Sequence, residues 1–268
     1  MRQSTAMELI LVTLASGLAG FVDAIVGGGG LILVPALFAT YVAASPATLL
    51  GTNKSASVWG TALATWQYSR RIVLPWRKLV LAVGVTWTGS WLGAYALTLL
   101  SPDFLRKLLP LVMLLVLLYT VRRKDLGQSH APRWQGHQET VVLCGIGFVI
   151  GCYDGFFGPG TGSFFVFLMV RLLGYDFLNA SACSKLLNAT SNASALALFA
   201  WQGHVWWHLT LALALANVAG SWVGTRLALR HGSGFVRVMF IAVVTALMLK
   251  TGYDAFVREA LTQGVMGS

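Results

Sequence analysis

Apolar positions are grouped into long runs at about 8–26, 31–44, 48–67, 77–99 and 104–121. A polar stretch at 122–139 follows, and the runs resume at about 141–157, 162–174, 179–200, 206–229 and 235–253. A helix needs roughly 20 apolar residues to cross the hydrocarbon core, and most of these runs have that length. The runs 31–44 and 162–174 are shorter, and each follows a glycine-rich break, Gly27–Gly30 and Gly158-Pro159-Gly160-Thr161-Gly162. Irregular backbone at membrane depth persists only where protein buries it or a wet cavity solvates it. The pattern therefore predicts two broken-helix hairpins, with new helices opening near Leu31 and Gly162. Arg2 before an apolar run also resembles a cleavable signal peptide. The same segment type recurs at 141–157, where no such signal sits, so the first run is read as a membrane helix.

Composition supports the pattern. Of 268 residues, 56% are hydrophobic and only 10% charged, and the mean hydropathy is +0.71. An average globular chain is about a quarter charged, so soluble, disordered and fibrous classes are excluded. The net charge of +10 would suggest nucleic acid in a soluble protein; in a membrane protein Lys and Arg first set the topology. Three cysteines, Cys144, Cys152 and Cys183, form no CxxC and give neither a disulfide framework nor a zinc site. His204 and His208 bracket Trp206-Trp207 without an HExxH frame, and no phosphate-binding loop or nucleophile elbow occurs. No enzyme activity, cofactor or metal is expected.

An offset of 131 superimposes the halves. Gly20, Asp23, Gly27 and Gly29 fall on Gly151, Asp154, Gly158 and Gly160; Lys54 falls on Lys185; Gly89-Ser90-Trp91 and Gly93 fall on Gly220-Ser221-Trp222 and Gly224. The organisation read from this is a first membrane repeat at 1–121, a linker at 122–140 and a second repeat at 141–268. Basic residues then orient the repeats. Arg70, Arg71, Arg77 and Lys78 precede the run 77–99, whereas the counterpart connection 201–206 has no Lys or Arg. The second half places Arg226, Arg230 and Arg237 around its next loop, and the linker carries Arg122, Arg123, Lys124 and Arg133. By the positive-inside rule equivalent loops face opposite sides. The expected fold is an all-α membrane protein of two inverted-topology repeats, each a glycine-broken helix hairpin plus about three transmembrane helices. The linker would be cytoplasmic and both termini outside.

Inverted repeats with broken helices bind substrate near the midplane, where the repeats meet. Helix N-termini carry unpaired N–H groups and partial positive charge and so attract anions. Glycines at Gly29, Gly30 and Gly160, beside Thr161, allow close approach of a ligand. A lysine within the membrane costs at least ~2.5 kcal/mol on insertion scales, so Lys54 and Lys185 each need a carboxylate, a polar cavity or an anion. Lys54, Ser57, Thr61 and Thr65 share one helical stripe, matched by Ser181, Lys185, Asn188 and Asn192. The site expected for a small anion comprises Gly29, Gly30, Asn53, Lys54, Gly160, Thr161, Lys185, Asn188 and Asn192. Asp23 and Asp154 stand one turn before the breaks, as charge partners of the lysines or as proton acceptors.

Gly20-Phe21-Val22-Asp23 with Gly27–Gly30 and Pro35, then Gly51-Thr52-Asn53-Lys54, resembles the first module of the TauE/SafE family of sulfite exporters. Gly155-Phe156-Phe157-Gly158-Pro159-Gly160-Thr161-Gly162, with Ala182, Lys185, Asn188 and Ser191-Asn192, resembles the second. The resemblance runs from about residue 8 to 250. It implies a bacterial inner-membrane permease with duplicated modules that exports sulfite or organosulfonate-type anions. Expected partners are that small anion, the lipid bilayer and, in a homo-oligomer, further copies of the chain, with no nucleic acid. Import or channelling of another anion, or service as a membrane scaffold or enzyme subunit, are the alternatives.

Overall fold

The computed structural model describes residues 2–101 and 131–253. Among these residues the only regular structure is helical: α1 (Arg2–Val26), α2 (Gly30–Thr40), α3 (Pro46–Ser69), α4 (Trp76–Thr98), α5 (Gly136–Phe156), α6 (Thr161–Leu168), α7 (Phe177–Trp201) and α8 (Trp207–Tyr253). A π-helical turn, Met169–Leu173, extends α6. The expected run 104–121 and most of the linker lie outside the described residues. The linker's last residues differ from expectation, because α5 already begins at Gly136 and buries Glu139. The runs 206–229 and 235–253 form one helical stretch broken only at Gly232, which has φ +72°.

Among the described residues three helices are long and apolar enough to cross a membrane: Ala6–Val26 of α1, α4 and α5. They present large apolar side chains outward, among them Leu14, Leu18, Leu81, Leu92, Phe148 and Val149. Leu211 and Leu215 of α8 do the same. By contrast α3 and α7, at 24 and 25 residues, bury polar groups. Thr52, Asn53, Lys54 and Ser55 are buried in α3, and Ser184, Lys185, Asn188 and Asn192 in α7. Lipid rewards an apolar exterior, and a low-dielectric interior tolerates polar groups only when they are partnered. The chain therefore wraps its polar helices inside its apolar ones.

Small residues bring the wrapping helices close. A Cβ on Gly151 of α5 would stand 2.7 Å from the Thr86 carbonyl oxygen of α4, and one on Gly89 would stand 2.5 Å from that of Phe148. The matching positions behave alike: Gly20 of α1 abuts the Asn217 carbonyl of α8, and Gly220 abuts that of Gly17. Serines tie the same layers to the centre. Ser90 Oγ donates to the Ser191 carbonyl at 2.7 Å, and Ser221 Oγ to the Gly60 carbonyl at 2.6 Å. Each contact in these pairs becomes the other when 131 is added to one residue and subtracted from its partner.

The polar helices start at matched caps. Ser45 Oγ accepts from the Thr48 N–H at 3.2 Å at the start of α3. At the start of α7, Asp176 Oδ1 accepts from the Leu178 and Asn179 N–H groups at 2.8 and 2.9 Å. Such caps satisfy helix N–H groups that have no intrahelical partner. They also fix the register that carries Lys54 and Lys185 to the centre of the molecule.

Candidate substrate site

The two breaks meet. Gly27 has φ +83° and Gly158 φ +93°, values that glycine adopts at no steric cost. They turn the chain out of α1 and α5 and into α2 and α6. A Cβ added to Gly162 would collide with the Cα of Gly27, so backbone lies directly on backbone. The Ser163 N–H donates to the Gly27 carbonyl at 2.9 Å, and Ser163 Oγ to the Val26 carbonyl at 2.9 Å. A Cβ on Gly30 would stand 3.1 Å from the Pro159 Cα. Ser184 Oγ of α7 donates to the Gly162 carbonyl at 3.1 Å, and the buried Tyr68 hydroxyl to the Ala24 carbonyl at 3.1 Å. Bonds of this kind meet the requirement that irregular backbone in a membrane be satisfied by protein.

Each lysine pairs across the halves. Lys54 Nζ of α3 lies 2.6 Å from Asp154 Oδ1 of α5, both side chains being 2% exposed. It also donates to Asn192 Oδ1 of α7 at 3.0 Å. Lys185 Nζ of α7 lies 3.5 Å from Asp23 Oδ2 of α1 and donates to the main-chain carbonyl of the same Asp23. Asp23 Oδ1 accepts the Gly29 N–H at 3.4 Å. The two cations and two carboxylates sum to zero charge, so an anion entering here must compete with a carboxylate already in place.

The other expected site residues divide. Asn53, Asn188 and Asn192 are all buried, and Asn53 Oδ1 and Asp154 Oδ2 have no hydrogen-bond partner. The Thr161 hydroxyl donates to the Gly158 carbonyl at 2.6 Å, which commits its proton to the break. The Ser163 N–H, in the first turn of α6, is likewise spent on Gly27. Thr61 and Thr65 donate to carbonyls of their own helix, so the α3 stripe is less of a donor path than its spacing suggests. Cys144, Cys152 and Cys183 are free thiols.

One cluster escaped the sequence reading. Lys78 Nζ lies 2.5 Å from Glu139 Oε2, and the Tyr175 hydroxyl donates to Glu139 Oε1 at 2.5 Å. It ties α4, α5 and the segment before α7 together. Glu139 sits in a polar stretch read as linker, and the separation of these three residues in sequence gave no signal.

Apolar helices surrounding buried ion pairs at two facing breaks have the build of a membrane transporter. The chain belongs to the TauE/SafE family, whose model, described as Sulfite exporter TauE/SafE, matches residues 12–251. It is 36% identical over 244 residues to the probable membrane transporter protein YfcA of Escherichia coli K12, covering 91% of this chain and 89% of that one. It is 34% identical over 250 residues to the probable membrane transporter protein ORF9 of Sinorhizobium sp, covering 92% and 94%. Similarity extends to the probable membrane transporter protein YunE of Bacillus subtilis, at 25% identity over 265 residues, 90% of this chain and 93% of that one. No solved structure matches the chain. These family and relative names indicate a membrane transporter rather than an enzyme.

Proposed function

We propose that the protein exports small sulfur oxyanions, of the sulfite or organosulfonate class, across the bacterial inner membrane by alternating access. The observation that carries this reading is the pair of buried lysines, each held by a carboxylate of the opposite half where the breaks meet. Charge is costly at that depth, and a compact anion is the solute that two such cations favour over a neutral one. The family description, Sulfite exporter TauE/SafE, supports sulfite and the outward direction. Lys54 and Lys185 hold the anion; amides of Asn53, Asn188 and Asn192 orient it; Gly29, Gly30, Gly160 and Thr161 shape the walls.

The inverted arrangement has its own support. Gly51 lies beside Phe199, and Lys54, further along α3, reaches Asn192, earlier in α7. These contacts run the counterpart helices α3 and α7 antiparallel. Rocking of one repeat on the other then opens the centre to each side in turn, with the linker cytoplasmic and the termini outside.

Reconstitution into liposomes, offering sulfite, sulfoacetate, taurine, thiosulfate and sulfate in turn, tests the substrate class. Sulfite counterflow is expected in the wild type and is lost in Lys54→Ala and Lys185→Ala. Wild-type rates in both variants would reject the site. Flux far above a transporter's with no counterflow would instead establish a channel. Single cysteines at Ser69 and in the 202–206 connection should label from opposite sides, and equal labelling from one side rejects the inversion.

A further inference from the structure

The geometry points to Asp154 as a proton-accepting site that couples anion to proton: Asp154 takes up one proton when the anion replaces it at Lys54 and releases it when the anion departs. This rests on the proposed anion site and adds to it the ion that travels along.

The inference comes from a difference between the matched pairs. Asp154 is 1% exposed. One oxygen holds Lys54 at 2.6 Å, while Oδ2 is buried without a partner. An ionised carboxylate in such a place depends on its single cation. Once an anion takes that cation, Asp154 would be a second negative charge beside the first, with no N–H or hydroxyl donor on Oδ2. Protonation of Oδ2 removes that charge. No bond but the new O–H forms, and Lys54 keeps its proton throughout. Before binding, the site holds Lys54 positive and Asp154 negative; afterwards it holds Lys54 positive, a monovalent anion and neutral Asp154. Both states are neutral, which suits a low-dielectric centre.

No neighbour supplies an alternative counter-charge. From α3 comes Lys54 itself, and from α7 the Asn192 amide, 3.0 Å from Lys54. On its own helix stand Cys152 and Tyr153, and the Tyr153 hydroxyl donates to the Pro159 carbonyl at 2.5 Å. From α4, Ser90 and Ala94 pack on Gly155, and neither titrates in this range. Among the described residues the remaining charges at the centre are Asp23 of α1 and Lys185 of α7, which pair with each other; Asp23, a like charge, also acts on Lys54 and offers Asp154 no cation.

Asp23 does not share the role. Lys185 donates to the Asp23 main-chain carbonyl, which cannot take up a proton, and the carboxylate at 3.5 Å is its second partner. Protonating Asp23 leaves Lys185 anchored on a carbonyl; protonating Asp154 leaves Lys54 with an amide oxygen as its one direct partner and the more distant charge of Asp23. Both lysines face the anion, but Lys54 is the one that exchanges its carboxylate for it, while Lys185 keeps its backbone anchor. Proton and monovalent anion then move together. The anion gradient and the pH gradient together set the direction, and membrane potential contributes nothing.

Infrared difference spectra of the full chain in liposomes, recorded on adding sulfite at constant near-neutral pH, read the step directly. A carbonyl band of a newly protonated carboxyl is expected in the wild type. It persists in Asp23→Asn and is lost in Asp154→Asn. Sulfite counterflow in the wild type without that band would overturn the coupling and leave the anion site standing. A band lost in Asp23→Asn and kept in Asp154→Asn would overturn the assignment. Absence of sulfite binding and counterflow would overturn the anion site and this inference with it.

Discussion

Lys54–Asp154 and Lys185–Asp23 are the same pair by sequence offset, yet they are built differently. The first is short, at 2.6 Å, with both side chains 2% exposed; the second is 3.5 Å long, with the Asp23 side chain 15% exposed. Lys54 leans on a carboxylate and an amide from two other helices, whereas Lys185 leans on a backbone carbonyl. Positions matched by the offset thus deliver two cations to one centre, where each is held differently. In the tighter pair Asp154 has Lys54 as its one partner, and the looser one has a backbone anchor and partial access to solvent.

Removing one partner is the strongest way to break this comparison. Truncating half of a buried ion pair costs about 3–5 kcal/mol, because the remaining charge stays buried alone. Lys54→Ala should show that loss in thermal unfolding in detergent, and Lys185→Ala clearly less, since Asp23 retains the Gly29 N–H and some exposure. The double variant Lys54→Ala/Asp154→Ala should recover most of the stability without recovering sulfite counterflow. Equal losses in the two single variants would show that the pairs are energetically equivalent.

The breaks come next. Gly27 needs its positive φ, and both Gly27 and Gly162 touch each other's backbone. Alanine at either should cost about 1–3 kcal/mol through overpacking, with transport falling alongside. Gly84 of α4 and Gly145 of α5 have nothing within 4 Å of an added Cβ. Alanine there should be neutral or stabilise by up to about 1 kcal/mol. If all four variants melt alike, the meeting of the breaks does not hold the centre together.

A smaller test concerns the matched serines. Ser90→Ala and Ser221→Ala each remove one interhelical hydrogen bond to a mid-helix carbonyl, at about 0.5–1.5 kcal/mol apiece, and the two losses should agree if the halves pack equivalently. These residues also show what the sequence made legible. The repeated Gly-Ser-Trp-x-Gly marked both serines, because the same small residue and hydroxyl are required wherever a helix crosses its counterpart's neighbour. Lys54 and Lys185 were legible because charge within an apolar run is anomalous. Their partners were only half legible: Asp23 and Asp154 stood out by position, but cross-pairing between halves is a fact of tertiary arrangement that no local pattern encodes. Lys78, Glu139 and Tyr175 were not legible at all. Each looks ordinary at a membrane edge, and only packing of α4 against α5 brings Lys78 to Glu139. Thr161 shows the converse, a residue whose spacing marked it for a ligand and whose hydroxyl the backbone takes.

The smallest expected effect separates the two matched caps by charge. Ser45 and Asp176 start α3 and α7 in the same way, but only Asp176 titrates. Burial disfavours its charge, yet the Asn179 N–H and side-chain amide, the Ser233 hydroxyl and the Leu178 N–H together outweigh that and hold its carboxyl below the ordinary 3.8. A carboxyl held low in the folded state stabilises the fold at all pH above its ordinary range. That contribution fades as pH drops below 3.8 and is gone once pH has passed the lowered folded-state value. A cap contributes about 1 kcal/mol, so the melting temperature should fall by a few degrees on acidification through that window. Asp176→Ser, which copies the cap of α3, should remove this cap's share of the fall and leave the near-neutral melting temperature slightly lower. An acid transition unchanged by Asp176→Ser would mean that the cap is not what acid unfolds first.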